Sequence, residues 1–539
     1  MKARISAPES SAPASRRWPF FVLPLCVLLA YARAFFNPFL YGDDEAFITR
    51  NQYLLHWRFL PDILTQNIQA GSGLASNFYR PVQSLHYFFL MQIFGAAPWA
   101  FHAVGVLYHA ANAVLVYLLL RELTEDSVPA HVSALLALAW ALHPIQVEDV
   151  ATANGLATPL YVFWALSACL LFLKDRFWAA LGAAALAIGS KEAAIIVAPL
   201  LAVVDWAALR LGRRPPRTWR QNALRHGPQW ILAGAYIWLR LTLLDFGGTT
   251  DFYAHPNVFT EHWTYRLYTL WTALAYGIRL LAWPTGLHPE RSWVVYTSFW
   301  SAPVLGSLAL LIFLGVLCLR WIKTKPLAAA GVLWFFVAYA PMSNLVAVID
   351  ALFWEHWFYL PSIGVALAVA GSWRRGRRPG VDKTAAAFLA ALAAVYGVMT
   401  FRRNLKFESQ EVYSRYILAY EPRSAKHWSN LAAALSDQGR YQEAIADFSR
   451  AIALSDEYPQ TRYDLGNVYM ALGRPDLAEP QYEAALRLNP RFYFAYLGLA
   501  RVHWTQGLKA QAADDLRRSL ETFPDQAQVR KVLAAWGAR

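Results

Sequence analysis

Carboxylates cluster in the run Tyr41-Gly42-Asp43-Asp44-Glu45, which directly follows the first long apolar segment of the chain. Adjacent carboxylates repel one another, and this repulsion can raise the pKa of one of them. A carboxylate placed in this way can act as a general base and remove the proton of an attacking hydroxyl. The alternative is a solvated turn or a helix N-cap, and the spacing alone does not separate the two. Asp43 and Asp44 are therefore candidate catalytic residues.

A second group of polar and charged residues is spread over later apolar segments: Arg80, His143, Glu148, Lys191, Glu192, Asn344, Glu355, His356 and Tyr359. Each has a structural alternative, because long cations snorkel to lipid headgroups, tyrosines join aromatic belts and polar residues cap helices. Together they place carboxylates and cations on one side of a helix bundle. An enzyme that acts on an anionic, lipid-linked substrate needs such charged groups on one side of the membrane.

Motifs of soluble nucleotide and hydrolase chemistry are absent from the sequence. It has no P-loop, no GxGxxG after a strand, no HExxH and no GxSxG nucleophile elbow. Three cysteines lie inside apolar segments without metal or disulfide spacing, namely Cys26, Cys169 and Cys318. An Asp pair can bind Mg²⁺ or Mn²⁺, but no third ligand is identifiable, so the metal requirement stays open.

The composition is that of a membrane protein. Of the 539 residues, 57% are hydrophobic and 16% are charged, whereas soluble domains carry roughly a quarter of charged residues. The net charge of +13 does not indicate a nucleic-acid partner, because residues 424–539 hold 14 Lys and Arg against 13 Asp and Glu. The positive excess lies among the apolar runs of residues 1–423, as in membrane proteins with basic cytoplasmic loops.

The apolar runs predict about eleven transmembrane helices, from their lengths alone. Their approximate bounds are 18–36, 100–121, 130–143, 156–173, 177–190, 191–209, 228–245, 302–322, 326–344, 355–373 and 383–400. Two more segments, near 83–98 and 264–283, carry polar residues throughout. We expect these two to lie at the membrane interface or to re-enter the membrane.

Charge segregation predicts the orientation of the spans. Arginines dominate the loop 210–225, which has six and no acid, and the run Arg374 to Arg378. The other side receives Asp43, Asp44, Glu45, Glu148, Asp149, Asp251, Glu290, Asp350 and Glu355. Since basic loops remain in the cytoplasm, the N-terminus is predicted inside and the C-terminus outside. The exceptions on the outer side are Arg402, Arg403 and Lys406.

The sequence after residue 403 is charged, rich in alanine and repeats every 34 residues, as at Leu431, Leu465 and Leu499. Small residues recur where paired helices cross, and glycines mark the turns at Gly439, Gly473 and Gly507. This pattern predicts three tetratricopeptide repeats, which commonly hold an extended peptide or a partner protein. A helix near 408–421 is expected to cap the front and 525–539 the rear.

The predicted organisation is therefore a membrane domain of residues 1–403 with an outer loop at 37–99. A connecting and capping helix follows at 404–424, and residues 425–539 form the three repeats with a C-terminal capping helix.

Taken in chain order, the short motifs that carry these polar residues resemble those of the transmembrane and tetratricopeptide-repeat protein O-mannosyltransferases and their bacterial relatives. The shared features are Asp43-Asp44 with Ile48 and Asn51, Tyr79-Arg80-Pro81, His102 to Asn112, His143-Pro144-Ile145 with Glu148, Lys191-Glu192, Pro341 to Leu345, and Tyr359 to Ser362. The likeness spans almost the whole chain, including the repeats.

This resemblance implies an all-α fold, in which a polytopic bundle of the C-type glycosyltransferase kind precedes a tetratricopeptide-repeat α-solenoid. Family enzymes pass a sugar from a polyprenyl-phosphate donor to an acceptor on the non-cytoplasmic face, with a catalytic carboxylate in the first outer loop. That role would fall to Asp43 and Asp44. The candidates for stabilising the leaving phosphate are Arg80, Lys191 and His356. Supporting roles are expected for His143, Glu148, Glu192, Asn344, Glu355 and Tyr359.

The leading prediction is a bacterial inner-membrane glycosyltransferase that uses an undecaprenyl-phosphate-linked sugar. Its acceptor would be a periplasmic or lumenal protein or an envelope glycan, which the repeats present. One alternative is a non-catalytic scaffold whose repeats dock envelope proteins while the bundle anchors them. A third hypothesis is a lipid-linked-glycan ligase or polymerase.

Overall fold

The computed structural model describes residues 17–74, 76–125, 127–244, 257–349, 351–373, 379–524 and 526–536. Over these ranges the chain is helical, with short 3₁₀ and π turns and no β-strand. Several residues used above to predict the orientation lie outside the described ranges: Asp251, Asp350 and the run Arg374 to Arg378.

The membrane-associated part consists, within the described ranges, of α1 (Pro19–Ala30), α2 (Leu60–Thr65), α3 (Pro81–Phe94), α4 (Pro98–Thr124), α5 (Ala130–Ala141), α6 (Val147–Ala151), α7 (Ala157–Leu173), α8 (Phe177–Ser190), α9 (Val197–Arg210), α10 (Trp219–Thr242), α11 (Val258–Glu261), α12 (Trp263–Ala282), α13 (Ala302–Thr324), α14 (Pro326–Tyr339), α15 (Ile363–Gly371) and α16 (Pro379–Asn404). Helix α4 lies at the centre and packs against α1, α5 and α7. Their apolar faces form the largest buried core.

In the described ranges, five helices are long and apolar enough to cross a membrane, and a sixth is possible if α5 and the 144–151 segment, bent by 46°, form one broken span. The predicted count of about eleven is therefore not confirmed. Three further apolar helices have only 10–17 residues each, which at about 1.5 Å per residue is shorter than a bilayer core of about 30 Å. Long apolar runs are divided by turns: the run 18–36 becomes α1 followed by a 3₁₀ turn.

The repeats form three antiparallel helix pairs between the capping helices α17 (Gln410–Leu418) and α24 (Ala527–Ala535). The pairs are α18 (Ala425–Asp437) with α19 (Tyr441–Leu454), α20 (Pro459–Ala471) with α21 (Pro475–Leu488), and α22 (Tyr493–Thr505) with α23 (Lys509–Thr522). The turn glycines Gly439, Gly473 and Gly507 have φ of 76°, 69° and 80°, a left-handed conformation that glycine adopts without steric cost. The predicted 34-residue periodicity is thus the period of the helix pairs.

Helices α14 and α15 cross so closely that only glycine fits at the contact. A Cβ added at Gly331 would lie 2.4 Å from the carbonyl oxygen of Gly364 and 2.4 Å from the backbone nitrogen of Ala368. Backbone atoms cannot move away as a flexible side chain can, so a larger residue must separate the two helices.

The substitution Gly331→Val should lower the stability of the folded chain by about 1–3 kcal/mol, because it overpacks this crossing. The measurement is the thermal unfolding midpoint of the purified chain in detergent. Gly315→Val in α13 is the matched control, since a Cβ there has no neighbour within 4 Å. Equal midpoints for the two variants would contradict the described crossing.

Candidate functional site

A cavity of about 390 Å³ opens where the loop after α1, the start of α7, the start of α9 and the first repeat helix α18 meet. Most of its lining is polar or charged, which suits a substrate with charged and hydroxyl groups. Among the lining residues are Asp43, Asp44, Arg80, Glu148, Asp149, Asn154, Thr158, Lys191, Glu192, Glu290, His356, Lys426, His427 and Asn430. Of the eleven predicted site residues, seven line this cavity.

Asp44 is buried and accepts two backbone hydrogen bonds. Its Oδ2 accepts from the N–H of Leu40 at 2.8 Å, and its Oδ1 accepts from the N–H of Asn154 at 2.7 Å. Burial raises the pKa of Asp44 to about 7, against the lowering effect of the two N–H bonds and with a further contribution from Asp43. With both oxygens engaged, Asp44 ties the loop after α1 to the turn that precedes α7.

Asp43 is exposed and faces the cavity. The side-chain amide of Asn154 donates to its Oδ2 at 3.2 Å. Asn154 thus orients both aspartates, one through its backbone and one through its side chain. Of the two, Asp43 has the geometry of a base that a substrate hydroxyl can reach.

Two cationic side chains of the bundle, Arg80 and Lys191, line the cavity. The guanidinium of Arg80 binds Glu192 through two bonds, Nε to Oε2 at 2.9 Å and Nη2 to Oε1 at 2.6 Å. Lys191 is buried, and its ammonium donates to the hydroxyl of Thr158 at 2.8 Å. An ammonium has three N–H donors and a guanidinium has five, so both residues keep donors for a ligand.

His356 also lines the cavity, with its Nδ1 2.8 Å from Glu148 Oε1. Asp149, next to Glu148, is likewise part of the wall. These contacts join the start of α6 to the 3₁₀ turn Glu355–Phe358 across the cavity. His356, predicted to stabilise the leaving phosphate, and Glu148, predicted to support the site, thus lie in contact at this cavity.

Four predicted supporting residues do not line the cavity. Three of them lie where they hold local structure. The Nε2 of His143 is 3.1 Å from the carbonyl of Leu281, Asn344 binds backbone groups of Ile349 and Ala351, and the hydroxyl of Tyr359 lies among His109 and Asn112 inside the bundle.

The fourth, Glu355, is completely buried. Its carboxylate accepts from Arg403 at 2.7 Å, from Arg291 at 3.2 Å and from the backbone N–H of His288 at 2.8 Å. Arg403 was one of the three cations on the wrong side of the predicted charge pattern. In the structure it neutralises this buried carboxylate.

Several lining residues were not predicted from the sequence. Asn154 and Thr158 carry no motif of their own, and Asp149 was noted only as an outer acid. The three repeat residues Lys426, His427 and Asn430 had no sequence signal, because a repeat pattern does not say which face meets the rest of the chain.

The two aspartates alone do not form a ligand set for a divalent cation. Each oxygen of Asp44 accepts one backbone N–H group, and Asp43 is the exposed carboxylate of the pair. In the described part of the chain, no three His, Cys, Asp or Glu side chains are grouped to hold an ion.

Comparison with known protein families yields matches to both parts of the chain. The family described as dolichyl-phosphate-mannose-protein mannosyltransferase matches residues 81–222. Tetratricopeptide-repeat families match residues 423–491 and 463–527. The first match begins directly after Arg80 and covers Lys191 and the turn around Asn154, and the others cover the predicted repeats.

Similar curated proteins carry the name protein O-mannosyl-transferase. TMTC4 of Mus musculus is 26% identical over 79% of this chain and 65% of its own length, and Tmtc3 of Drosophila melanogaster is 23% identical over 77% and 52%. TMTC3 of Homo sapiens is 22% identical over 93% of this chain and 60% of its own. The chain thus spans between about half and two thirds of these relatives. A solved structure of the APC/C hetero-tetramer Cut9-Hcn1 aligns at 13% identity over 84% of this chain and 96% of that chain, with a TM-score of 0.25.

The buried carboxyl of Asp44 makes the stability of the folded chain depend on pH, and this contribution can be measured. With a pKa raised to about 7, it stabilises the folded chain fully below about pH 4, and this contribution is lost as the pH rises through 7. Asn does not titrate, so Asp44→Asn should destabilise the chain more at pH 5 than at pH 8, by a difference of about 2 kcal/mol. The thermal unfolding midpoint across this pH range measures it. Parallel pH profiles of the two proteins would show that Asp44 is already ionised when folded.

Proposed function

Because the chain belongs to the transmembrane and tetratricopeptide-repeat protein O-mannosyltransferase family, we propose that it transfers a sugar from a polyprenyl-phosphate donor to a hydroxyl group on the non-cytoplasmic face of a membrane. The sugar is mannose in this proposal, since the relatives are named O-mannosyl-transferases. The observation that carries it is the meeting of an accessible carboxylate, Asp43, with the cations Arg80 and Lys191 in one cavity.

The carboxylate of Asp43 acts as the general base. It takes the proton of the acceptor hydroxyl while the hydroxyl oxygen forms a bond to C1 of the sugar. Asp44 positions Asp43, because the two backbone hydrogen bonds that Asp44 accepts hold the turn of Asp43 against Asn154. A fixed base avoids the entropic cost of finding the acceptor in each turnover.

The phosphate leaves with the electron pair of the C1–O bond that breaks. Lys191 and Arg80 stabilise its charge with the N–H groups that Thr158 and Glu192 do not occupy. His356, held by Glu148, contributes a further donor when it is protonated. A phosphate leaves as an anion and needs no protonating acid, so one base suffices. No step is assigned to a metal ion.

The proposed location is a bacterial inner membrane, with the N-terminus in the cytoplasm and the repeats in the periplasm. The charge pattern supports this orientation, since the described loop between α9 and α10 is rich in arginine. The cavity lies beside the repeats, so donor lipid and acceptor would meet on the periplasmic side.

Asp43→Asn should reduce kcat/KM for sugar transfer by about 10²–10⁴-fold, the usual contribution of a general base. Transfer from undecaprenyl phosphate mannose to a Ser- and Thr-containing peptide, followed by mass spectrometry, provides the assay. Asp62→Asn is the matched control, since Asp62 belongs to the same outer loop but does not line the cavity. If Asp43→Asn keeps wild-type transfer while removal of residues 424–539 abolishes the biological effect, the chain is a scaffold. Transfer of an oligosaccharide block would indicate a ligase.

The orientation predicts the activity of alkaline phosphatase fusions, which fold only outside the cytoplasm. A fusion after Arg539 should be active, and a fusion after Arg217 in the arginine-rich loop should be inactive. The opposite pattern would place the repeats in the cytoplasm and contradict the proposed face of transfer.

A further inference from the structure

The first repeat helix, α18, forms one wall of the cavity. Its residues Lys426, His427 and Asn430 line the cavity together with Asp43. The side chain of Lys426 lies over the loop after α1, since a Cβ added at Gly42 would be 3.9 Å from Lys426 Cε. A cation of the repeats therefore stands beside the candidate base.

The start of α18 is clamped to the bundle by Glu290. One carboxylate oxygen of Glu290 accepts from the hydroxyl of Ser424 at 2.5 Å, and the other lies 2.9 Å from His427 Nε2. Burial raises the pKa of Glu290, but its bonds to His427 and Ser424 outweigh burial and lower this pKa to about 2. Glu290 is thus ionised at any physiological pH, and α18 has a fixed position at the cavity.

The next two repeats contact the outer loop through the same register position. Gln460 and Phe494 follow Lys426 at successive intervals of 34 residues. Gln460 accepts from Arg50 Nη1 at 2.7 Å, and the guanidinium of Arg50 lies 5.3 Å from the ring centre of Phe494. Tyr493 packs on Gly73 so closely that a Cβ there would be 2.8 Å from its ring. This face of the first helices is occupied by the chain's own outer loop.

We propose that this face of the repeats forms the acceptor side of the active site, and that Lys426 is the residue that positions a polypeptide acceptor beside Asp43. The inference rests on the proposed function. The face cannot bind a separate extended peptide, because Arg50 and Gly73 already cover it at the second and third repeats. At the first repeat, Lys426, His427 and Asn430 line the cavity together with Asp43.

The chemistry of these two side chains suits a peptide. An ammonium donates to backbone carbonyl oxygens, and an asparagine amide both donates and accepts, as a peptide group does. The donor phosphate would bind Arg80 and Lys191, which belong to the bundle and line the same cavity. Acceptor and donor would therefore enter from different sides and meet at Asp43.

The test uses the full chain in detergent, with undecaprenyl phosphate mannose and a fluorescent Ser- and Thr-containing peptide as probes. Lys426→Met should raise the KM for the peptide about tenfold, the effect expected of losing one charged hydrogen bond. The KM for the donor, and the slow hydrolysis of the donor by water, should stay within about twofold. Lys426→Arg should restore most of the peptide affinity, and Lys531→Met in α24 is the control.

An unchanged peptide KM, or an equal loss in donor KM and hydrolysis, would overturn the assignment of Lys426 to the acceptor. Asn430→Ala provides a second variant with the same expected direction, should Lys426→Met lower the unfolding midpoint. Fluorescence polarisation measures peptide binding separately from sugar transfer, so it distinguishes a failure of the proposed function from a failure of the proposed peptide site. If the wild-type chain transfers no sugar but binds the peptide and Lys426→Met weakens that binding, the proposed function fails and the acceptor site stands.

Discussion

The contact between Asn154 and the two aspartates of the first outer loop is the constraint on which the site depends. One residue donates its backbone N–H to Asp44 and its side-chain amide to Asp43. The turn that carries Asn154 is tight, since a Cβ at Gly155 would lie 2.4 Å from the carbonyl oxygen of Asp149. The same turn therefore sets the positions of Asp149 on the cavity wall and of the loop that carries the base.

Charge compensation maintains the cavity. Its carboxylates would repel one another, and burial would drive protons onto them. Three of them lie against a specific partner: Glu192 against Arg80, Glu148 against His356, and Glu290 against His427. Behind the cavity, Glu355 is held by Arg403 and Arg291. Removing one partner of a buried pair leaves an uncompensated charge, so this network constrains the structure more than it stabilises it.

The parts of the structure that could be predicted from the sequence are those that depend on local patterns of residues. The repeats were predictable because each helix pair repeats the same small residues and turn glycines, such as Gly439 and Gly473. Asp43, Arg80, Lys191 and His356 were placed near one another by a resemblance of motifs, and they do line one cavity. The number of spans was not predictable from apolar length, because turns such as that after Tyr31 divide a long apolar run without changing its composition.

Contacts between distant segments had no signal in the sequence. Glu355 and Tyr359 belong to one motif, yet one binds Arg403 and the other lies beside His109 inside the bundle. The position of Lys426 over Gly42 depends on how α18 is held by Glu290, which no periodicity encodes. Such positions depend on how distant helices and loops pack against one another in the folded chain.

Whether Asp43, Lys191 and Arg80 act on one donor is tested most directly by an experimental structure of the chain with undecaprenyl phosphate mannose bound. We expect the phosphate oxygens within hydrogen-bond distance of Lys191 and Arg80. We also expect the sugar C1 to face Asp43, with room for an acceptor hydroxyl at about 2.6–3.2 Å from that carboxylate. A donor bound with its phosphate outside this cavity, or with C1 turned away from Asp43, would contradict this expectation.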